Sequence, residues 1–330
     1  GQRVAAAALA QAGRSEAAQH GGWSAPVEVY DLRPQAAGAS PQWLEPGRPG
    51  AKELRVLRGL MQPQEVSAVL QAARSAAFED EAQGSKNPVQ TPVVVLKARG
   101  RWALSPDDPL RHAVEAAVEE RVVPYVREVY GDPSLTAAEV LLRQYAPAEK
   151  PQHALHFDHH AAATCVVDLA PRPGSGLFVQ PGPGAESRAF VPMAAAGDAA
   201  VHGWDVFHGV ALESGHERVS LIVWAKPRAD AESGLVSWYA GLGAAGDVDA
   251  AYRLGMEAEG RRDAGEAARW HAAAAEGGHW MAMSRLGRLL AARGSPEGSA
   301  WTQRAAACGW ADAQVDVGDA QQRGGDHGAA

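Results

Sequence analysis

The chain has 330 residues, with 31 Lys and Arg against 39 Asp and Glu, for a formal net charge of -8. That length suits about two domains and a substantial core, and the acidic balance with no basic run excludes the usual signature of nucleic-acid or anionic-membrane binding. Cys165 and Cys308 lie too far apart to form a disulfide framework, and no apolar run approaches the ~20 residues of a membrane span. Because the sequence starts at Gly1, an upstream targeting segment stays open, and a soluble chain of either the cytoplasm or the endoplasmic-reticulum lumen fits.

Residues 1–50 are rich in Ala, Gly, Gln and Pro, with few large apolar residues beyond Trp23, Val27, Tyr30 and Trp43, so a loosely structured segment is expected there. A short strand, Leu54 to Leu57, leads into a helix from Pro63 to Leu70, with proline at its start. A second helix is expected from Pro109 to Tyr130, where Leu110, Val114, Val118, Val122 and Val126 form one stripe and Pro124 interrupts or bends it. Strands are then expected at Val140–Tyr145, Leu155–His159, Thr164–Leu169, Gly176–Gln180, Ala199–Trp204 and Val219–Ala225, separated by Pro and Gly turns. Many short strands braced by two helices give an α+β fold, a two-sheet jelly roll or double-stranded β-helix over residues 51–228.

After Pro227 the composition changes. Trp238, Trp270 and Trp301 recur at a period of about 32 residues, each followed by an alanine-rich stretch ending at Gly246, Gly277 or Gly309. Next come Ala251 to Gly255, Ala282 to Gly287 and Ala313 to Gly318. The spacing predicts an all-α helical-repeat domain over 229–330, built of stacked hairpins of the tetratricopeptide type, which either caps the fold or binds a protein partner.

The chemistry concentrates between His156 and Ser220. In an extended strand, residues i and i+2 share a face, so His156 and Asp158 project together while Phe157 points away. His208, in Phe207-His208-Gly209-Val210, adds a second imidazole. Two neutral imidazoles and one carboxylate on one face of a metal, with the opposite positions open, suit mononuclear non-haem iron; the lack of thiolates argues against structural zinc. A loop at Ser214-Gly215 precedes Arg218 and Ser220, which share a face at the start of a strand expected beside the one carrying His208. Arginine grips a carboxylate in a planar fork, which suits a dicarboxylate cosubstrate. His153, His159, His160, His202 and His216 default to solvent-facing or supporting roles, with His160 a candidate for the substrate mouth. Asp198 and Asp205 are candidates to accept from the ligand imidazoles, and Asp198 also suits a turn at Gly197.

With these motifs the sequence resembles the iron(II)- and 2-oxoglutarate-dependent dioxygenases, in the prolyl 4-hydroxylase and lysyl hydroxylase-like branch, over roughly Leu54 to Lys226. The resemblance rests on H-x-D, the Gly197-Asp198 pair, F-H-G-V, S-G-x-x-R-x-S and the Leu221-Ile-Val-Trp224 strand. It implies that His156, Asp158 and His208 bind Fe(II) and that Arg218 clamps the distal carboxylate of 2-oxoglutarate. Ser220 and Tyr145 would help hold that cosubstrate. The segment from Ala146 to Leu155 departs from the usual glycine-containing form, and arginine stands where many collagen-type enzymes have lysine. The implied reaction consumes O2 and 2-oxoglutarate, releases succinate and CO2 and hydroxylates a C–H bond, with ascorbate as reductant. The expected substrate is a prolyl or lysyl side chain of a protein or peptide. The alternatives are a free small molecule, a cupin-like fold using its metal as a Lewis acid, and a catalytically silent scaffold. Asp158 disfavours a halogenase, which needs that position for halide. The repeats are similar to Sel-one-like repeats, with a shorter linker between helices.

Overall fold

The computed structural model describes residues 14–20, 23–33, 52–76, 78–80, 92–145, 152–212 and 217–326. It divides into two compact units, one formed by Gly1–Leu32, Arg48–Val179 and Arg188–Val236, the other by Arg33–Gly47, Gln180–Ser187 and Ser237–Ala330.

In the first unit, β1 (Arg14–His20) and β2 (Trp23–Asp31) form an antiparallel hairpin, and β3 (Glu53–Leu57) pairs with β2. Strands β1 and β2 fall within the segment expected to be loose, while β3 covers the strand expected at Leu54–Leu57. The physical reason is a period-two pattern inside an otherwise small-residue stretch: Trp23, Ala25, Val27 and Val29 are buried, while Ser24 and Pro26 are exposed. Trp43 lies outside the described residues.

Helix α1 (Pro63–Ala73) starts at proline, and the Glu65 carboxylate accepts the Gln62 N–H at 2.7 Å, closing its first turn. Strands β4 (Glu79–Asp80), β5 (Pro92–Ala98) and β6 (Arg101–Trp102) follow. Helix α2 (Pro109–Ala116), capped by Asp108, runs through a widened π-helical turn at Ala117–Val122 into α3 (Val123–Tyr130). The bend expected at Pro124 takes this form because proline has no N–H to give and its ring crowds the carbonyl four residues back. The Val123 N–H accordingly reaches Val118 rather than the nearer carbonyl.

The remaining strands are β7 (Leu135–Tyr145), β8 (Gln152–His156), β9 (Ala163–Asp168), β10 (Gly176–Val179), β11 (Ala189–Phe190), β12 (Ala199–Gly203), β13 (His208–Ala211) and β14 (Arg218–Pro227). A large antiparallel sheet has the order β1-β2-β3-β12-β9-β14-β7-β5-β4 with β6 on β5, and a small one has the order β11-β10-β13-β8. Alternation along the large sheet serves two cores. Val167, Val201, Leu142 and Leu221 pack with Val66, Val114 and Val118 of the helices. Val166, Ala200, Leu141 and Ile222 instead pack with Leu177, Val179 and Val210 of the small sheet. The short helix α4 (Arg228–Ser233) follows β14.

The second unit contains α5 (Trp238–Ala244), α6 (Val248–Gly260), α7 (Ala264–Glu276), α8 (Trp280–Ala292), α9 (Glu297–Ala307) and α10 (Ala311–Asp326), each in contact with the next. Asp247, Asp263 and His279 cap α6, α7 and α8 by accepting a backbone N–H of the first turn. The turn glycines in left-handed conformation are Gly246, Gly278, Gly294 and Gly309, so the second lies one residue beyond the Gly277 picked out by pattern. Glycine also permits close helix crossing. At Gly255 a Cβ would fall 2.5 Å from the ring of His271, which is fully buried and bonded to Glu259 at 2.9 Å. Gly255→Ala is therefore expected to destabilise the chain by about 1–3 kcal/mol through overpacking. Urea denaturation followed by circular dichroism measures this, and an unchanged midpoint would show that the crossing relaxes freely.

Candidate metal centre

Strands β8 and β13 are neighbours in the small sheet and place His156 directly opposite His208, with ring centroids 4.4 Å apart. The His156 Nδ1 lies 2.8 Å from the Ala154 carbonyl, and the His208 Nδ1 lies 3.0 Å from the Val206 carbonyl. A carbonyl only accepts, so each Nδ1 carries the proton and each Nε2 is left with its lone pair. These backbone carbonyls take the part expected of Asp198 or Asp205. Asp198 instead accepts from Arg58 and from the backbone N–H groups of Gly59, Ala194 and Ala195, and Asp205 accepts from the Lys52 N–H.

Asp158 lies outside the strand expected to carry it: β8 ends at His156, and Asp158 follows in the turn toward β9. The reason is a stronger claim from the facing sheet. Its Oδ2 accepts from Thr164 Oγ1 on β9 at 2.7 Å and from Trp224 Nε1 on β14 at 3.1 Å. Its Oδ1 lies 3.5 Å from His156 Nε2, and Oδ2 lies 3.7 Å from His208 Nε2. One donor atom from each of the three residues lies within 4.8 Å of the others. Complete burial pushes the His208 imidazole well below its ordinary range and keeps it neutral. Burial opposes ionisation of Asp158, yet its carboxyl is held well below the usual carboxylate range, by attraction to any proton that the His208 or His156 imidazole takes up. The result is one anionic oxygen facing two imidazole lone pairs, a donor set that fits a divalent first-row cation such as Fe(II).

Arg218 opens β14 opposite Tyr145 at the end of β7, and Ser220 follows on the same face. Strand β14 pairs with β7 and β9 in the large sheet, not with β13, so the expectation that it runs beside the His208 strand is corrected. Between Ala211 and Arg218 the chain passes from one sheet to the other, and Ser214, Gly215 and His216 there lie outside the described residues. Arg218, Ser220, Ile222 and Trp224 alternate onto one face, and Trp224 is the residue that reaches Asp158. The Ser220 hydroxyl is fully buried with no hydrogen-bond partner among the described residues. The Arg218 guanidinium carbon lies 5.9 Å from the centre of the buried Tyr145 ring.

Sequence reasoning missed Asp168, whose Oδ2 receives both Nε and Nη2 of Arg218 at 3.1 and 3.0 Å. The available signal was its place in β9: Thr164, Val166 and Asp168 share a face, and a carboxylate in so apolar a strand needs a cation. His202 was underrated. It is fully buried with its ring 4.4 Å from that of His208, its Nδ1 bonded to the Gly203 carbonyl and its Nε2 without a partner among the described residues. Among the other histidines, His153 lies tilted against His156, with burial lowering its pKa to about 4. His159 lies against Phe157, and His160 meets the edge of Trp224.

No family model and no curated protein matches this chain. Among solved structures, an oxidoreductase of the 2OG-Fe(II) oxygenase family from Burkholderia pseudomallei aligns over 53% of this chain and 85% of its own, with 14% identity and a TM-score of 0.42. A prolyl hydroxylase from Trichoplax adhaerens, in complex with a peptide fragment of hypoxia inducible factor, aligns over 55% and 86% with 12% identity and a TM-score of 0.40. An alpha-ketoglutarate-dependent epimerase of nogalamycin biosynthesis aligns over 54% and 78% with 18% identity and a TM-score of 0.39. At this level of similarity they bear on no residue's role, and the case for a metal centre stands on its own geometry.

Thr164→Val keeps the shape of the side chain and removes one of the two donors that orient Asp158. It is expected to weaken Mn(II) or Co(II) binding by about tenfold, read by calorimetric titration. Unchanged affinity would mean that Trp224 alone suffices.

Proposed function

We propose that this protein is an Fe(II)- and 2-oxoglutarate-dependent oxygenase with a double-stranded β-helix core, hydroxylating a C–H bond and releasing succinate and CO2. The single observation that carries this reading is the convergence of His156, Asp158 and His208, within 4.8 Å of one another, at the junction of two facing sheets. The proposed ligand atoms are the Nε2 of each histidine and Oδ1 of Asp158. Bound there, iron with its cosubstrate would supply the activation of O2 that no side chain can perform.

The protein's own contribution is placement. The Ala154 and Val206 carbonyls fix each imidazole tautomer, while Thr164 and Trp224 aim the Asp158 carboxylate. Arg218 receives the distal carboxylate of 2-oxoglutarate, with the unpartnered Ser220 hydroxyl as a second donor and Tyr145 shaping the wall. The substrate class proposed is a prolyl or lysyl side chain in a protein or peptide, on the strength of the H-x-D, F-H-G-V and S-G-x-x-R-x-S motifs. The helices from α5 onward are proposed to be tetratricopeptide-type hairpins following an oxygenase domain that ends near residue 228. Their close glycine crossings at Gly255, Gly287 and Gly298 support that reading.

Adding Fe(II) and 2-oxoglutarate to the full chain without oxygen should give a metal-to-ligand charge-transfer absorption, and admitting oxygen with ascorbate present should release succinate. Asp158→Ala is expected to abolish both. Arg218→Ala should raise the 2-oxoglutarate requirement by at least about thirtyfold, the loss of a buried bidentate pair worth roughly 2 to 5 kcal/mol. Peptides gaining one oxygen atom by mass spectrometry would identify the substrate. An iron-loaded chain that shows no absorption change with 2-oxoglutarate ends the reading.

A further inference from the structure

We propose that Asp168 sets how tightly the far carboxylate of the cosubstrate is held, by compensating in advance the charge of the arginine that receives it. This rests on the reading above that Arg218 is the receptor. Asp168 and Arg218 are 2% and 3% exposed, so their pairing takes place out of water. Asp168 is committed at both oxygens: Oδ2 takes Nε and Nη2 of Arg218, and Oδ1 takes the Ala170 N–H at 3.1 Å. The carboxylate therefore occupies the side edge of the guanidinium. No hydrogen bond of the described residues uses Nη1, so the end edge, Nη1 with the second Nη2 hydrogen, remains for another acceptor.

Orientation of this guanidinium has support besides Asp168. The Tyr145 ring lies on one side, and the Gly176 backbone closes over the pair, so that a Cβ there would meet Arg218 Nε and Asp168 Oδ2 at 3.6 Å. Charge has no such second support from Tyr145 or Gly176. A dicarboxylate arriving at the end edge meets a cation already neutralised and a like charge one guanidinium width away, which weakens its binding. With an uncharged residue of the same shape at 168, the buried guanidinium would lack a counter-charge until the ligand supplied it, and ligand binding would gain what the free protein had lost. Succinate carries the same terminal carboxylate, so Asp168 loosens product as well as cosubstrate.

The test is calorimetric titration of the full chain, loaded with Mn(II) without oxygen, by 2-oxoglutarate and by 2-oxobutyrate, which lacks the distal carboxylate. The native chain should prefer 2-oxoglutarate. Asp168→Asn should tighten 2-oxoglutarate and succinate by about tenfold while leaving 2-oxobutyrate and Mn(II) unchanged. Equal binding of both oxo acids by the native chain would remove Arg218 as receptor, and this inference with it. A native preference for 2-oxoglutarate that Asp168→Asn leaves unchanged or weakens would overturn the role of Asp168 alone. Should Asp168→Asn not fold, Arg218→Lys and the double variant Arg218→Lys/Asp168→Asn decide the matter. Lysine offers one point charge, which Asp168 would take, so the single variant should lose the preference for 2-oxoglutarate and the double variant should recover part of it. No recovery overturns the proposal.

Discussion

The Asp158 carboxylate is the point on which this structure turns. It leaves the small sheet just after His156, and one of its oxygens is claimed by Thr164 and Trp224 of the large sheet. The other oxygen stays beside the His156 imidazole, two residues earlier in the chain. A buried carboxylate costs several kcal/mol unless its lone pairs are met. Here a hydroxyl and an indole N–H meet Oδ2, which also lies 3.7 Å from His208 Nε2, while Oδ1 lies 3.5 Å from His156 Nε2, each ring carrying its proton on Nδ1. Three electron-rich atoms converging, two of them on buried residues, repel one another, so their close approach makes physical sense as the preparation for a cation.

The same carboxylate fixes the relation between the metal ligands and the arginine. Trp224, which holds Asp158, stands on the face of β14 that also presents Ser220 and Arg218. Four residues of strand separate Trp224 from Ser220, a span of ~13 Å. One rigid strand thus carries both the residue that orients a metal ligand and those proposed to receive the far end of a cosubstrate. Large-sheet residues on the other face of β14, Val219, Leu221 and Val223, are locked into the core beneath the helices. A shift of register by one residue would exchange the two faces, burying Arg218 among valines and exposing the core.

The chemistry of the site was more legible in the sequence than its topology. His156, Asp158 and His208 are marked by residue type and spacing, and those marks survive any arrangement of strands that brings them together. Which strands pair is a long-range matter: the passage from β13 to β14 crosses between sheets, and nothing in Ala211 to Arg218 announces it. Asp158 left its expected strand because partners 6 and 66 residues away outbid local periodicity. Asp168 and His202 were hidden for a related reason. Each is the one acid or imidazole in a mostly apolar strand, and its importance lies in what faces it across the fold. The bend at Pro124 was legible because its cause is local, a missing N–H. The hairpin at residues 14–31 was not, since a single alternating strand is masked by the small-residue composition around it.

Arginine at position 218 also has a physical explanation in the pairing with Asp168. A lysine ammonium is a compact point charge with three rotatable donors, so a neighbouring carboxylate and a ligand carboxylate would contend for the same group. The guanidinium is planar, with two separate donor edges, and can hold a carboxylate on each at once without turning. A strand that buries an aspartate beside position 218 is therefore better matched by arginine than by lysine where a second anion is to be bound. Arginine at 218 and the acid at 168 are two parts of one arrangement, in which a buried cation is kept paired while a second donor edge is left over.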